Sequence, residues 1–387
     1  MEDRKKILFV LDAMSIGGVS RALISVLHFL DYRRYAVDLL LMYDVPELAD
    51  RIPPEVRTMI LSKAPSVRRS PEYWLYDAQV HLFQLLGQTD RREQALERLR
   101  AFSARRRLRW ALTERYDTVI AYKHGEAEAL VAGHVDCPRK ILFYHHGGLL
   151  DERLHEKTFP AFQRIIAVSD GVRELLCERY PAYRDRIGVI PNFADAEEVR
   201  RLAEDGAVTT PAGRRVICSS GRLEPEKRFD RAVEAAAGLK AEIGASFVWY
   251  LIGEGTLRPQ LERQIGSLGL QDEVILTGAL ANPMPYVAAS DVYVQTSETE
   301  SYGLAMQEAL ILGKPVVSTA TVGGKLLIRD GENGFLTAPD AAGICAAVRR
   351  ALTEPLAQTD ENVWKRQDEQ TVRLWEELLD PRKEERG

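Results

Sequence analysis

The stretch that decides the fold is Ser297-Glu298-Thr299-Glu300-Ser301-Tyr302-Gly303-Leu304-Ala305-Met306-Gln307-Glu308-Ala309, which continues into Leu312-Gly313-Lys314-Pro315-Val316-Val317. The pattern predicts a polar loop, a short helix and a buried strand. Gly313 is a favourable residue just past a helix end, and Pro315 restarts the chain in extended form. A strand-loop-helix-strand order of this kind is typical of a parallel α/β sheet.

Two carboxylates and a helix start give this stretch its chemical interest. Glu300 lies just before the predicted helix, and Glu308 lies about a turn and a half into it. A carboxylate on so apolar a helix needs a partner, because burying it unpaired costs several kcal/mol or forces protonation. The helix start exposes backbone N–H groups of Tyr302, Gly303 and Leu304, which suit an anion. The stretch therefore offers a phosphate site and two acceptors for hydroxyls; the alternative is an amphipathic helix with a solvated Glu308.

Composition limits the class of protein. A length of 387 residues predicts two domains, and 45% apolar with 28% charged residues is typical of a globular protein. The net charge of −5 argues against nucleic-acid binding. No apolar run approaches the roughly 20 residues that span a bilayer, and the amino terminus does not resemble a signal peptide, so we expect a cytoplasmic protein. Four scattered cysteines indicate neither a zinc site nor a disulfide framework.

Strand and helix patterns alternate along most of the chain. Apolar runs predict parallel strands near residues 6–11, 35–42, 58–61, 118–122, 140–144 and 164–169, and a second series begins at residue 215. The stretch from Asp195 to Arg214 is expected to be the linker. The predicted organisation is a first domain over residues 1–195, a second over 196–361 and a final helix over 362–387.

A predicted helical insertion at residues 63–115 interrupts this alternation. It contains Tyr73, Trp74, Tyr76, and the cluster Arg105-Arg106-Arg107-Leu108-Arg109-Trp110. Arginine and aromatic side chains together suit contact with anionic lipid headgroups, so we expect Arg105, Arg106, Arg107, Arg109 and Trp110 to touch a membrane surface. The alternative is a solvated basic helix face with the aromatic side chains packed inside.

Polar residues and glycines follow several strands, where open α/β sheets place their ligands. In the first half these are Gly17-Gly18, after the first strand, and His145-His146, of which one is expected to face the crevice. In the second half, five residues fall at or near the carboxyl ends of strands, and they are Arg222, Lys227, Gly253, Leu280 and Glu300. We expect this second group to meet at one edge of one sheet.

The second group has a coherent chemistry. Arg222 and Lys227 could clamp a diphosphate, the first as a planar fork and the second as a point charge, while Glu308 could accept both hydroxyls of a ribose. The alternative for the two cations is surface pairing with Glu224 and Glu226. No Asp-x-Asp or histidine-aspartate set stands nearby, so no metal is required by the pattern.

At this point the sequence resembles a known family, the retaining nucleotide-sugar glycosyltransferases with the GT-B fold, that is, the group 1 glycosyl transferases of family four. The motifs that carry the resemblance are Gly221-Arg222-Leu223 with Lys227, Leu251-Ile252-Gly253-Glu254-Gly255, Leu276-Thr277-Gly278, Ala289-Ser290-Asp291-Val292, and Glu300-Ser301-Tyr302-Gly303 with Glu308. The resemblance covers nearly the whole second half and is weaker in the first. It implies an α/β protein with two Rossmann-like domains facing across a cleft. The last helix, with Trp364, Val372, Trp375 and Leu379 at helical spacing, would cross back to the first domain.

The resemblance also implies roles for single residues. Arg222 and Lys227 would hold the donor diphosphate, Glu308 the ribose, and Glu300 hydroxyls of the transferred sugar. The loop residues Ser301, Tyr302, Gly303 and Leu304 would lend backbone donors, Gly253 would line the donor site, and Leu280 would lie near the base. His146 would contact the sugar from the first domain, and Gly17 and Gly18 would let that domain close over the diphosphate and acceptor. The catalytic group so implied is Glu300, His146, Arg222 and Lys227.

Two positions depart from the family pattern. Similar members usually carry glutamate at the position of Ser20. They commonly carry glutamate also at the position of Leu326, in the stretch 322–328. We expect the first to affect helix packing or acceptor orientation and the second the loop near the nucleotide. Neither removes the diphosphate clamp.

The resulting hypothesis is a retaining transferase that moves a sugar from a nucleotide donor, expected to be a UDP-sugar, without metal or other cofactor. The acceptor is expected to be a glycan or lipid-linked glycan in bacterial cell-surface or exopolysaccharide synthesis. One alternative is a catalytically silent GT-B-like subunit of an active partner. Another is a synthase or phosphorylase that acts on a soluble sugar.

Overall fold

The computed structural model contains two parallel β-sheets, each built from strands that alternate with helices. It describes residues 4–66, 68, 70–86, 88–149, 151–206, 208–356 and 362–380. All strand pairs within the two sheets run parallel. This is the α/β architecture that the alternating pattern predicts.

The first domain is built on a seven-stranded sheet with the order β3-β2-β1-β4-β5-β6-β7. Its strands are β1 Lys5–Leu11, β2 Tyr35–Leu41, β3 Arg57–Ile60, β4 Thr118–Ala121, β5 Lys140–Tyr144, β6 Arg164–Ala167 and β7 Ile187–Val189. In the central strand, Leu8, Phe9 and Val10 are fully buried, because side chains on both faces are covered by helices. The six strands predicted in this half are confirmed.

Among the described residues, seven helices lie between β1 and the second sheet; the first six accompany the first-domain sheet, and the seventh packs on helices of the second domain. They are α1 Gly18–Phe29, α2 Pro71–Leu85, α3 Thr89–Ala111, α4 Glu126–His134, α5 Glu152–Thr158, α6 Asp170–Arg179 and α7 Ala196–Glu204. Helices α2 and α3 form the helical insertion that the sequence predicts, and the rings of Tyr76 and Phe102 pack between them at 5.3 Å. Leu108 and Ala111, at the end of α3, are buried in the first-domain core.

The second domain is built on a six-stranded sheet with the order β10-β9-β8-β11-β12-β13. Its strands are β8 Arg215–Ser220, β9 Phe247–Ile252, β10 Val274–Gly278, β11 Val292–Gln295, β12 Val316–Thr319 and β13 Gly334–Thr337. Its helices are α8 Phe229–Ile243, α9 Arg258–Ser267, α10 Met284–Ala289, α11 Leu304–Ile311, α12 Val322–Leu327 and α13 Ala341–Thr353. The short helix and buried strand expected after the Glu300 loop are α11 and β12.

The expected linker from Asp195 to Arg214 is wrong over its first half, because α7 occupies Ala196–Glu204. The side chain of Asp195 caps this helix by accepting from the backbone N–H groups of Glu197 and Glu198. Val199 and Leu202 lie on one face and are buried. The alanine and charge content suggested a linker, but the apolar spacing and the aspartate cap determine the structure.

The last helix, α14 Asn362–Leu379, packs on the first domain as expected, and positions 381–387 of the predicted helix lie outside the described residues. The indole of Trp375 stacks on Phe143, with centroids 4.7 Å apart and planes 6° apart, and also contacts Phe9. Just beyond the helix, Asp380 is paired with Lys5 Nζ at 2.6 Å. The chain therefore crosses back from the second domain to the first.

Candidate active site

A cavity of about 860 Å³ lies between the two domains, at the carboxyl ends of strands from both sheets. Its volume is in the range that holds a substrate-sized ligand. All predicted site residues except Glu308 line it, namely Gly17, Gly18, His146, Arg222, Lys227, Gly253, Leu280, Glu300, Ser301, Tyr302, Gly303 and Leu304. The structure thus brings the two groups of sequence-predicted residues to one place.

Glu300 stands in the most densely hydrogen-bonded part of this cavity. Its Oε1 accepts from Lys227 Nζ, from Gln295 Nε2 at 3.1 Å and from Ser297 Oγ at 3.0 Å. Among the described residues, no donor reaches its Oε2. The side chain of Glu300 is 13% exposed and that of Lys227 is 20% exposed. One carboxylate oxygen is therefore fixed by the protein, and the other remains available to a hydroxyl.

Arg222 is placed differently from Lys227. Its guanidinium is 60% exposed and donates to Glu226 Oε1 at 2.7 Å. Glu224, the other expected partner, instead accepts from the backbone and hydroxyl of Thr256. Of the two surface pairings that the sequence left open for Arg222, the structure contains the one with Glu226. Since that pair is exposed and weak, Arg222 is free to turn towards an anion in the cavity.

Glu308 has the partner that its burial requires, and that partner belongs to the other domain. Its Oε2 accepts from Arg21 Nη1 at 2.8 Å, and the two side chains are 6% and 20% exposed. Burial raises the pKa of Glu308, and the Arg21 guanidinium opposes that rise. Arg21 lines the cavity, whereas Glu308 does not, so Arg21 lies between the cavity and one oxygen of this carboxylate. A solvated Glu308, the alternative interpretation, is wrong.

The loop from Ser297 to Gly303, which we call the donor loop, touches the first domain directly. Ser301 Oγ donates to the His145 carbonyl at 2.6 Å, and Ser169 Oγ donates to the Ser301 carbonyl at 2.9 Å. A Cβ added at Gly147 would lie 3.0 Å from the backbone of Glu300 and Ser301. The donor loop is therefore held by hydrogen bonds and by close backbone packing from across the cleft.

The donor loop ends at Gly303, which adopts a left-handed φ of +91° immediately before α11. Glycine suits this position because it enters the left-handed region without strain. The first backbone N–H groups of α11 then have no carbonyl within the helix to bind. Tyr302, Gly303 and Leu304, whose N–H groups the sequence predicts as an anion site, line the cavity, as does Ala305.

The two adjacent histidines occupy different environments. His145 is buried, its Nδ1 lies 3.4 Å from Asn192 Nδ2, and burial followed by the nearby His124 lowers its pKa to about 3. His146 is half-buried, and its Nδ1 lies 3.0 Å from the backbone nitrogen and 3.1 Å from the carbonyl oxygen of Gly148. These contacts leave Nε2 of His146 as the free ring atom. His145 is thus neutral and structural, whereas His146 is the more accessible of the two.

Several glycines and neighbours have distinct roles in the cavity wall. A Cβ added at Gly17 would meet nothing within 4 Å, so the space beside it is open to a ligand. Gly253 instead has φ +154°, and a Cβ there would lie 1.8 Å from the Gly221 carbonyl oxygen. Glycine at that position is required by backbone packing.

The two residues that depart from the family pattern lie in different environments. Ser20 is buried and its Oγ lies 3.4 Å from the Ala13 carbonyl, whereas Leu326 is 47% exposed on α12.

Among the polar residues of the first domain that were missed as site residues, three follow strands. Asp12 follows β1, and Lys123 and His124 follow β4; all three line the cavity. Lys123 Nζ donates to Asp12 Oδ2 at 2.5 Å, while Asp12 Oδ1 is buried and without a partner among the described residues. Burial, followed by nearby His146, lowers the pKa of His124 to about 4. The position of these residues directly after strands was the signal that could have identified them.

Two kinds of feature are absent from the part of the chain that the structure describes. The described residues contain no group of three or more histidine, cysteine, aspartate or glutamate side chains that could hold a metal ion. No described helix is both long and apolar enough to cross a membrane.

Family models agree with this geometry over both halves of the chain. The model of Glycosyltransferase Family 4 matches residues 16–198, and that of Glycosyl transferases group 1 matches residues 202–370. The two matches fall on the first and second domains in turn. The chain belongs to the group 1 glycosyltransferases. Its two facing domains and the returning α14 constitute the GT-B fold.

Relatives and solved structures support this assignment. This glycosyltransferase is 32% identical over 197 residues to the lipopolysaccharide core biosynthesis glycosyltransferase LpsE of Rhizobium meliloti. The matched stretch covers 50% of this chain and 55% of that relative. It is 26% identical over 228 residues to the N-acetylgalactosamine-N,N'-diacetylbacillosaminyl-diphospho-undecaprenol 4-alpha-N-acetylgalactosaminyltransferase of Campylobacter jejuni, covering 58% and 60%. The matches thus span little more than half the length of these relatives.

Across almost its whole length, the glycosyltransferase has the fold of a structure solved with ligands. The crystal structure of Anabaena Alr3699/HepE in complex with UDP and glucose superposes with a TM-score of 0.69 and 19% identity, covering 97% of this chain and 99% of that chain. At this identity the likeness concerns the fold.

Proposed function

We propose that this protein transfers a sugar from a UDP-sugar to a hydroxyl of a glycan or lipid-linked acceptor, with retention of configuration and without a metal ion. The acceptor would belong to bacterial cell-surface or exopolysaccharide synthesis. The observation that carries the proposal is the contact between Lys227 and Glu300 in the cleft. It sets a cation for the leaving diphosphate beside a carboxylate with one free oxygen for the sugar.

The cations act on the charge that develops as the donor breaks. When the bond between the anomeric carbon and the diphosphate oxygen lengthens, negative charge grows on that oxygen, and Lys227 lies in the cavity to stabilise it. Arg222 adds a second cation by leaving its exposed pair with Glu226. The backbone N–H groups at the start of α11 add neutral donors. These groups would do the work of a metal ion.

The anomeric configuration is retained because the acceptor oxygen attacks on the same face of the sugar from which the diphosphate departs. The acceptor oxygen forms the new bond to the anomeric carbon, and its proton passes to the departing diphosphate oxygen, so that charge and atoms balance. Glu300 holds the sugar through Oε2, while the bonds to its Oε1 fix the carboxylate in place. His146 approaches from the first domain with its free Nε2. No covalent sugar-enzyme intermediate is required.

The identity of donor and acceptor rests on chemistry and on similar proteins. HepE was crystallised with UDP and glucose, which favours a uridine nucleotide. The name of the Campylobacter relative contains a diphospho-undecaprenol acceptor, and that of the Rhizobium relative refers to lipopolysaccharide core synthesis. These names favour a glycan carried on a lipid.

The first test measures thermal shift and slow donor hydrolysis with UDP-, GDP- and ADP-sugars, each with and without a chelator. We expect stabilisation and hydrolysis with UDP-sugars, unchanged by the chelator. Stabilisation by no nucleotide would reject the enzyme, and loss of activity with chelator would reject metal independence. Analysis of the anomeric configuration of the product by NMR decides retention.

A pair of variants separates the two parts of the site. Lys227→Met should weaken UDP binding about tenfold to a hundredfold, because a charge-assisted contact to the diphosphate is lost. Glu300→Gln should leave UDP affinity within a few-fold and lower kcat about a hundredfold, because its sugar contact strengthens in the transition state. Titration calorimetry and initial rates measure both effects.

The matched controls lie on α9, away from the cleft. Arg263→Met removes an exposed cation and Glu262→Gln an exposed carboxylate, and both should behave as the wild type. Equal losses of UDP affinity in the Lys227 and Glu300 variants would contradict the separate roles.

A further inference from the structure

The outer face of α2 is apolar and exposed to solvent. Trp74, Leu75, Leu82, Leu85 and Leu86 are 60%, 68%, 51%, 85% and 57% exposed, and Ala78 lies between them. These positions recur at helical spacing on the side of α2 opposite the buried Val80. Single exposed leucines are ordinary, but a continuous stripe of this kind marks an interaction surface.

The neighbouring helix supplies positive charge. Helix α3 contains eight arginines against three acidic residues, in a chain whose net charge is −5. Arg105, Arg106, Arg107 and Arg109 are all exposed. Within the described residues none of these four guanidinium groups takes part in an ion pair. These four arginines therefore form a local concentration of positive charge on a protein whose net charge is negative.

The packing of the two helices places charge and apolar face side by side. The rings of Tyr76 and Phe102 meet at 5.3 Å, and α2 and α3 are joined by a short connection around residue 88. Because the helices turn back on each other, residues just before Tyr76 lie alongside residues just after Phe102. Trp74 therefore lies near the level of Arg105 and Arg106.

We propose that the stripe on α2 and the arginine cluster of α3 dock this protein on the surface of an anionic lipid bilayer. The leucines would enter the boundary between headgroups and acyl chains, the arginines would contact lipid phosphates, and the amphipathic rings of Trp74 and Trp110 would lie at headgroup level. The sequence predicted membrane contact from the arginine cluster and Trp110. The exposed face of α2 is a new element of this surface.

Charge favours a bilayer over a second copy of the same chain. A symmetric contact centred on α2 would bring two arginine clusters towards each other, and such like-charge proximity is unfavourable. An anionic bilayer can bury the apolar stripe and at the same time bind the arginines through its phosphates. The proposal is also independent of the transfer reaction, since neither helix lines the cavity.

The tryptophans provide a direct test. Of the five tryptophans, Trp249, Trp364 and Trp375 are buried, whereas Trp74 and Trp110 are exposed. Intrinsic fluorescence is measured on the full chain with vesicles of phosphatidylethanolamine and phosphatidylglycerol that contain brominated phosphatidylcholine. We expect quenching in the wild type and in Trp110→Phe, and most of that quenching should vanish in Trp74→Phe/Trp110→Phe. No quenching in the wild type would overturn the proposal.

Co-sedimentation with the same vesicles measures the two contributions separately. Leu75→Ser/Leu82→Ser/Leu85→Ser should weaken partitioning about a hundredfold through loss of buried apolar area. Replacing Arg105, Arg106, Arg107 and Arg109 with serine should weaken it about a hundredfold at low salt and remove most of its salt dependence. Arg263→Ser/Leu268→Ser, an exposed cation and an exposed leucine of the second domain, is the matched control and should bind as the wild type.

Folding of the variants and their oligomeric state are measured as well. Melting followed by circular dichroism establishes that each variant is folded. If the triple leucine variant and the quadruple arginine variant both bound vesicles as the wild type does, the proposal would be overturned. Absence of vesicle binding, together with a change from dimer to monomer in sedimentation velocity for the leucine variant, would assign the face to self-association instead. The vesicle experiments contain no nucleotide, so their results do not depend on whether the proposed UDP-sugar donor is correct.

Discussion

The buried carboxylate of Glu308 is paired with a guanidinium from the opposite domain. Arg21 reaches it at 2.8 Å from α1, close to the Gly17-Gly18 turn. If Glu308 holds the donor ribose, the ribose hydroxyls and Arg21 compete for the same carboxylate. Donor binding would then release a cation beside the diphosphate. Arg21 thus pairs with Glu308 in the free protein, and under the proposed function it would add a positive charge beside the bound donor.

We predict that Arg21→Met destabilises the protein by about 3 to 5 kcal/mol at pH 8, because it leaves a buried carboxylate unpaired. Burial already raises the pKa of Glu308, and loss of Arg21 raises it further. The native state then keeps a proton that the unfolded chain loses above its ordinary pKa of about 4.5, so the deficit grows as the pH rises from there. Urea unfolding at pH 8 and pH 4.5 measures the difference.

In the double variant Arg21→Met/Glu308→Gln, the additional pH dependence should disappear. A deficit of equal size at both pH values would show that the pair does not act through charge.

The identity of this pair illustrates what the sequence leaves undetermined at the residue scale. An acidic residue on an apolar helix predicts that Glu308 has a partner, but Arg21 is separated from it by 287 positions. A contact between domains depends on how two sheets face each other, which apolar patterns within each domain do not encode. Lys227 and Glu300 were predictable as neighbours because both follow strands of one sheet.

Helix α14 connects three parts of the molecule. Trp375 fills the first-domain core, Gln367 Nε2 donates to the Tyr302 hydroxyl of the donor loop at 2.6 Å, and Asp368 Oδ2 accepts from the Ala196 backbone N–H at 3.4 Å. The apolar spacing of α14 predicts its helical form and its buried face. Its polar contacts to the donor loop and to α7 come from tertiary structure and have no pattern in the sequence.

We predict that Asp368→Asn stabilises the protein by up to about 2 kcal/mol above pH 7, a value reduced for partial exposure. Burial, with nearby Asp195 adding to it, raises the pKa of Asp368 to about 7. The wild type therefore loses stability as the pH rises from about 4 to 7, because the native state must give up a proton that the unfolded chain has already lost. Asparagine removes that loss and can still accept from Ala196.

Urea unfolding between pH 4 and pH 8 tests this prediction. Glu369→Gln, an exposed neighbour on the same helix, is the control and should change stability by less than about 0.5 kcal/mol. Parallel pH profiles for Asp368→Asn and the wild type would contradict it.

At the scale of the whole molecule, the donor loop is shared between the domains. Ser301 and Ser169 link it to the first domain by hydrogen bonds, and Gly147 allows the two backbones to approach closely. A second close contact lies nearby, where a Cβ on Gly171 would be 2.7 Å from Val322 Cγ1. The position of this loop therefore depends on the relative position of the two domains as well as on the second domain itself.

We predict that Gly147→Ala lowers kcat about tenfold, because its methyl group would press on the backbone of Glu300 and shift the sugar site by a few tenths of an ångström. Gly148→Ala is the matched control, since a Cβ there meets only His146 atoms at 3.6 Å and beyond. Initial rates with saturating donor, together with UDP affinity, measure both variants. Equal rates in the two variants would exclude a role for this close approach.

Most strands of both sheets could be predicted from the sequence because buried parallel strands are continuous apolar runs, but the edge strand β13 was not predicted. The placement of one domain against the other was available only through the family resemblance. The α7 helix was missed because its charges and alanines resemble a linker, although Asp195 and the spacing of Val199 and Leu202 specify a capped amphipathic helix.

The position of Trp375 has a consequence for synthesis of the chain on the ribosome. Phe9, Phe29, Tyr122 and Phe143 all contact its ring, yet Trp375 is translated about 185 residues after β7, the last strand of their sheet. At typical elongation rates that interval lasts roughly 10 to 40 s. Throughout it, the nascent first domain exposes the aromatic surface that α14 later covers, and exposed apolar surface of this kind favours aggregation.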